Sequence, residues 1–275
     1  MTAVQEVADA TTVARTINIA ATADRIMQAR QQRIPVEKLI DAEGATIADA
    51  FRVQQEVVRR QVQAGDRIAG FKLGNIAKAM QEKFGVDEAD YGYLMASQFY
   101  PENLPISEDE FIEPFVELEP AFVLKKDLGG PNVTVADVLA ATDFVVPALE
   151  IIDSRVKDWK IGIFDTLADS GSTGGIILGG QPRKLSEVNL ADTTGSISFN
   201  GETVASGNTN AIYGNPVSAM MWLCRRIAEY GITLRAGELI LPGSCLAAAK
   251  MVPGTKVTGQ FDGWGEISFD YTAAG

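Results

Sequence analysis

The segment EPFVELEPAF, residues 113–122, places Glu117 and Glu119 two residues apart inside an otherwise apolar run. In an extended strand, side chains i and i+2 share a face, so both carboxylates emerge side by side while Val116 and Leu118 turn the other way. Like charges so placed raise each other's pKa unless something positive lies between them. A strand that shows its acids to water would need no further account. Glu150, in FVVPALEII, points elsewhere, because a lone carboxylate in so apolar a segment is costly to bury unpaired. Three glutamates on two buried strands suit a hard divalent ion, Mg2+ or Mn2+. Such an ion takes carboxylate oxygens, keeps positions open for water and substrate, and needs no histidine.

The histidine count of 0 narrows the chemistry further. It excludes Ser-His-Asp triads, Cys-His dyads, His-ligated zinc and His-assisted water activation, leaving carboxylates, lysine, hydroxyls and a metal ion. The 24 basic and 36 acidic side chains give a formal charge of −12, which repels polyphosphates and anionic lipid surfaces. Neither nucleic acid nor a membrane is an expected partner. An anionic substrate would need a bound cation or a local lysine to reverse that field. Cys224 and Cys245 sit in no metal or redox pattern and read as buried core thiols of a reducing compartment. The first thirty residues lack a basic stretch followed by an apolar core, and no run of about 18 apolar residues occurs. The expected location is cytoplasmic. GxGxxG and GxxxxGK[ST] are both missing, so neither a dinucleotide site nor a P-loop has support.

The elements that would position these groups follow from periodicity and punctuation. Val13, Ile17, Ile19, Ile26 and Met27 recur at helical spacing and predict a helix from Thr11 to about Arg33. A second helix is expected over residues 47–63, with Thr46 and Asp49 as a capping box. IAGFKLG reads as a short strand, NIAKAMQEKFG as a helix ended by Gly85, and VDEADYGYLMASQFY as a loop. FIEPFVELEPAFVLKKDL is expected as a strand pair or one bent strand, since Pro114 and Pro120 cannot donate to a central ladder. TVADVLAAT is a short helix and DFVVPALEIIDSR a buried strand. The pair Asn200-Gly201 marks a hairpin with a type I′ turn. NPVSAMMWLCRRIAEYG is a helix with Pro216 in its first turn, and the tail gives at least three strands. The predicted class is α+β, with an N-terminal helical region over residues 1–68 packed on a β-rich catalytic core over 69–275, a single domain overall.

With these elements in place, five segments resemble the 2-keto-4-pentenoate hydratase and 4-oxalocrotonate decarboxylase family, within the fumarylacetoacetate hydrolase superfamily. They are GFKLGNIAKAMQEKFGVDEADYGYL, VELEPAFVLKKDL, VVPALEIIDSRVKDWKI, FDTLADSGSTGGIILGG and FDGWGEISF. The resemblance covers roughly residues 45 to 272, in order. It implies the mixed sandwich or roll core of that superfamily and a metal, Mg2+ or Mn2+, held by Glu117, Glu119 and Glu150. It further implies a catalytic lysine, Lys72, and a catalytic acid, Asp90, from an element usually written PDYG, whose proline is Ala89 here. Asp87 competes with Asp90 for that role. Ser172 or Thr173 would contact a substrate carboxylate from a loop in which Ser170 and Gly171 replace the usual Asn and Ala. Ser244, in LPGSCLAA, would also contact the substrate, at a position where the hydratases resemble Gly-Ser and the decarboxylases Gly-Gly.

Each residue also has a plainer explanation. Lys72 could snorkel at a strand end, Asp90 could shape a turn, and the SGSTGG loop could exist for its tight geometry. Lys160 and Arg155 read as structural or surface charges. The activity implied is metal-dependent hydration of 2-hydroxypenta-2,4-dienoate or a homologue to a 4-hydroxy-2-oxo acid, in catabolism of aromatic compounds. Positive charge near Lys72 would lower its pKa and let it move protons. One alternative is 4-oxalocrotonate decarboxylation at the same metal, and another is a non-catalytic subunit that binds a keto acid or a pathway partner. Hydrolysis of acylpyruvates ranks below these because it resembles a histidine-assisted mechanism. The family's members assemble into homo-oligomers, and the same is expected here.

Overall fold

A computed structural model describes residues 17–40, 44–86, 88–179 and 181–275. Six helices are present among them: α1 (Ile19–Gln32), α2 (Ile47–Gln63), α3 (Lys78–Phe84), α4 (Val135–Ala141), α5 (Ile163–Ala168) and α6 (Pro216–Ala228). Within the described residues α1 begins at Ile19 because the Asn18 side chain accepts from Ala21 N at 3.0 Å and caps the first turn. Residues 11–16 of the predicted helix lie outside the described residues. The capping box of α2 forms as expected, with Asp49 N on Thr46 Oγ1 at 3.1 Å and Thr46 N on Asp49 Oδ2 at 3.2 Å. Gln54, on the buried face of α2, ties the helical region to the strands beside it. It donates to the carbonyls of Tyr91 and Leu167 and accepts from Tyr93 N.

The strands form two main sheets. The larger runs in the order Asp90–Met95, Ile68–Gly74, Leu239–Leu241, Phe115–Leu124, Thr142–Ile152, Thr173–Leu178 and Phe99–Tyr100, with Ala249–Lys250 also paired to Phe115–Leu124. The second runs Glu202–Asn208, Thr194–Phe199, Thr255–Phe261, Gly265–Thr272 and Pro105–Ser107. Alternation decides which face meets which layer. Val116, Leu118, Leu149 and Ile151 belong to the main apolar core, and Leu118 and Leu149 reach the second sheet at Gly259. A Cβ there would sit 2.7 Å from the end of the Leu149 side chain, so the close approach of the sheets favours glycine. Glu117, Glu119 and Glu150 therefore project from the opposite face.

Two expectations need correction. VDEADYGYLMASQFY is not a loop throughout: Asp90–Met95 pairs antiparallel with Ile68–Gly74, and Phe99–Tyr100 pairs with Thr173–Leu178. The first of these strands is mostly buried on both faces, so it carries no polar–apolar alternation to read. Pro120 sits in a central strand without a break. Pro120 lies opposite Pro147, and Gly179 N donates to Pro147 O at 2.7 Å, so the backbone of Pro147 faces away from Pro120. The two prolines thus form a pair that exchanges no ladder bonds, where a missing N–H costs nothing between them. The Asn200-Gly201 turn has φ of 51° and 86°, the two positive values a type I′ turn demands.

Candidate metal centre and active site

The antiparallel register sets Glu117 directly opposite Glu150, with Glu119 one step along the same face. All three are buried, and each offers an oxygen such that the set lies within 4.8 Å of one another. Glu119 Oε2 accepts from Gly243 N at 2.7 Å, and Glu150 Oε1 accepts from Thr173 Oγ1 at 2.8 Å. Glu119 Oε1 and Glu150 Oε2 have no partner at all. Burial, followed by the charge of Glu150, pushes Glu117 up to about 8. Burial and the charges of Glu150 and Glu117 push Glu119 well above the ordinary carboxylate range. Buried carboxylate oxygens left bare beside one another form the donor set of a hard divalent cation, so these residues fit such an ion.

Lys72 and Asp90 arrive on neighbouring strands. Lys72 pairs with Gly92 and Gly74 with Asp90, so the lysine and the acid are diagonal neighbours on one face. Lys72 Nζ lies 3.1 Å from Glu150 Oε1 and donates to Gly171 O at 3.0 Å. Burial alone would lower the pKa of Lys72, but the carboxylates of Glu150, Asp90, Glu117 and Glu119 outweigh it and hold the ammonium charged. The expected lowering by nearby positive charge is not produced by the protein's own residues, which surround Lys72 with acids. Asp90 Oδ2 accepts from Thr166 Oγ1 at 2.8 Å, while Oδ1 is buried and bare. Asp87 lies outside the described residues.

The SGSTG loop closes the site. Ser170, Gly171 and Ser172 take φ of 53°, 62° and 58° in succession, a left-handed run that side chains other than glycine's rarely adopt. At Gly171 a Cβ would come within 2.8 Å of Asp90 Oδ1 and 2.9 Å of Lys72 Cε, so the loop backbone rests on both. Ser172 Oγ is buried with no partner, whereas the hydroxyl of Thr173 serves Glu150. Ser244 is adjacent to Gly243, but its hydroxyl donates to Leu246 O at 3.0 Å and does not meet the acids. A pocket opens here, lined on its polar side by Lys72, Asp90, Glu117, Thr166, Gly171 and Ser172.

Several supporting residues lie outside the sequence-based set. Thr166 orients Asp90, and the Gly243 N–H orients Glu119. Arg155, read from sequence as a structural or surface charge, is among the largest fully buried side chains. Its Nε meets Asp169 Oδ1 at 2.7 Å, Nη2 donates to Asp169 O at 3.1 Å, and Nη1 donates to Thr173 O at 3.2 Å. Asp169 begins the DSGSTG segment, and the only sequence signal for its partnership was that loop's density of turn formers. Lys160 pairs with Asp158 at the surface, as expected. Cys224 and Cys245 are free and buried, and burial pushes both thiols up to about 12. Among the described residues, no helix is long and apolar enough to cross a membrane.

Comparison with known proteins gives three findings of note. The chain is 41% identical over 212 residues to a 2-hydroxypent-2,4-dienoate hydratase of Pseudomonas putida, covering 76% of this chain and 95% of that one. Its structure superposes with a TM-score of 0.88 on 4-oxalocrotonate decarboxylase from Pseudomonas putida G7, solved with magnesium and adipate. There the identity is 33%, with 92% of this chain and 97% of the other covered. A structure of a putative fumarylacetoacetate hydrolase family protein from Yersinia pestis shares the fold at 16% identity and a TM-score of 0.57, over 73% and 91% of the two chains. No family model matches the chain.

Proposed function

The chain belongs to the 2-keto-4-pentenoate hydratase and 4-oxalocrotonate decarboxylase family, a family of lyases, and we propose that it hydrates 2-hydroxypenta-2,4-dienoate or a close homologue. The observation that carries this reading is the buried acidic triad with its bare oxygens, set beside a charged lysine and a half-satisfied aspartate. Glu117, Glu119 and Glu150 would hold Mg2+ or Mn2+. Bound there, the ion would supply Lewis acidity toward an anionic substrate and a local positive charge in a chain of formal charge −12.

The chain's own groups then manage protons. Ser172 Oγ, a free donor on the pocket wall, receives a carboxylate oxygen of the substrate. Thr173 and Gly243 hold the carboxylates of Glu150 and Glu119 in place. Ketonisation moves a proton from the C2 hydroxyl to C5 and leaves an unsaturated ketone. Water then adds its oxygen at C4 and a proton at C3, giving a 4-hydroxy-2-oxo acid. Asp90 Oδ1 is the open acceptor and Lys72 Nζ the charged donor for these transfers. Ser244 contributes to the turn that presents Gly243 N rather than by direct contact. The helical region and the β-rich core act as one unit through Gln54, and assembly into homo-oligomers accords with the family reading.

Decarboxylation of 4-oxalocrotonate is the second reading, favoured by the 0.88 superposition on that enzyme. Supplying Mg2+ with 2-hydroxypentadienoate and 4-oxalocrotonate in parallel, and following dienol loss and CO2, separates the two. We expect faster dienol loss, abolished by EDTA. Faster CO2 release would reverse the assignment, and turnover of neither substrate with no metal bound would leave a non-catalytic role.

A further inference from the structure

Resting on that reading of the site, we infer that the pocket accepts a substrate whose tail is uncharged, vinyl or alkyl, and discriminates against dioates. The argument starts from register. On the face that carries the acids, Phe115 lies opposite Ile152 and Glu117 opposite Glu150. The apolar pair is thus one two-residue step, roughly 6.7 Å, from the acidic pair. A substrate head bound at the acids sends its carbon chain toward either Gly243 or the Phe115–Ile152 side. Only the latter opens into the pocket.

That side is mostly apolar. Met80, Phe84, Val86, Ile152, Trp159 and Ile161 line it, and Met80, Ile152, Phe84 and Trp159 pack in one cluster. Phe84 stacks on Trp159 with centroids 4.6 Å apart, and Phe115 meets Trp159 edge-on at 5.3 Å. The hydrogen-bond donors of the described lining are already committed. Trp159 Nε1 donates to Glu113 O at 3.0 Å, Thr166 Oγ1 to Asp90, and Asn75 Nδ2 to the carbonyls of Val86 and Glu88. Asn75 Oδ1 is left bare, and as an acceptor it repels a carboxylate. Ser172 Oγ remains for the head. Lys72 is the lining cation, and it is held by Glu150 and Gly171. Lys83, exposed over the Phe115 ring at 4.8 Å, is not part of the wall. A second carboxylate would lose its hydration here and gain no partner.

The test uses the full chain with Mg2+. 2-Hydroxypenta-2,4-dienoate and 2-hydroxyhexa-2,4-dienoate are compared by kcat/KM with 2-hydroxyhepta-2,4-dienedioate, a dioate that is not a tautomer of 4-oxalocrotonate. Calorimetry compares 2-oxopentanoate with 2-oxohexanedioate, so that binding is read without turnover. The monoacids should lead by at least about a hundredfold in both measurements, because an unpaired buried charge is rejected more strongly than a missing methylene. Ile161→Arg should narrow the gap by raising dioate binding, and Lys83→Ala should leave it unchanged. Equal handling of the dioate, or loss of dioate binding in Lys83→Ala, overturns the inference. Preference for 2-oxopentanoate without turnover of any dienoate would sink the hydratase reading and leave the tail selectivity standing.

Discussion

Thr173 touches two buried charge clusters, one through its hydroxyl and one through its carbonyl, and they are built on opposite plans. The hydroxyl serves Glu150, in a group where Glu119 Oε1, Glu150 Oε2 and Asp90 Oδ1 all lack partners. The carbonyl accepts from Arg155, Arg30 and Gln98, beside an ion pair in which the three guanidinium nitrogens of Arg155 and both carboxylate oxygens of Asp169 are bonded. One cluster is open and carries excess negative charge; in the other the Arg155–Asp169 pair is closed, although Nε of the neighbouring Arg30 is bare. A closed buried network rigidifies its surroundings, whereas an open one is unfavourable until something binds. The difference separates the residues held ready for a ligand from those that hold the loop over it.

The sharpest way to break this comparison is to neutralise one acid of the open cluster. Glu119→Gln should reduce turnover by about 10³, since several kcal/mol of metal-derived stabilisation is at stake. Yet the metal-free variant should melt no lower than the parent, because a buried like-charge repulsion is relieved. A melting temperature well below the parent's, measured calorimetrically after EDTA, would mean the triad is structural. Asp169→Ala should do the converse. It leaves Arg155 buried and unpaired and should lower stability by about 3–5 kcal/mol, read from urea unfolding. A loss under about 1 kcal/mol would show that the closed cluster is not what it appears from its bonds.

The third test is a pH dependence. A carboxyl whose pKa rises from 4.5 in the open chain to about 8 when folded binds more protons folded than unfolded, so its stabilising contribution is complete below 4.5 and lost as pH rises through about 8. Metal-free protein should therefore become less stable across that window, and Glu117→Gln should flatten the slope. Metal affinity should rise over the same range as protons are displaced. Melting curves in EDTA at stepped pH provide the check, and a slope unchanged by the substitution would remove Glu117 as its source.

Local order was legible where the chain itself supplies the signal. Thr46 and Asp49 cap α2, Asn200-Gly201 turns its hairpin, and Glu117 and Glu119 share a face because a strand alternates. The strand Asp90–Met95 was not legible, because burial of both faces erases alternation. Arg155 was legible as a structural charge, but not its burial or its partner, because a charged residue is normally exposed and Asp169 lies 14 residues on.

By itself, the sequence determined the chemistry available: no histidine, three glutamates in apolar strands, one lysine in a glycine-framed strand, and a loop of glycine and hydroxyls. It also determined local conformations, because φ preferences, caps and alternation act within a few residues. Only the tertiary structure decided that Glu150 stands opposite Glu117, that Lys72 lies 3.1 Å from Glu150, and that Gly243, 124 residues from Glu119, donates to it. Those facts depend on register and on layers packing across long sequence separations. Burial then shifts the charges, since the cost of an unpaired carboxylate is set by the surroundings that the fold assembles around it.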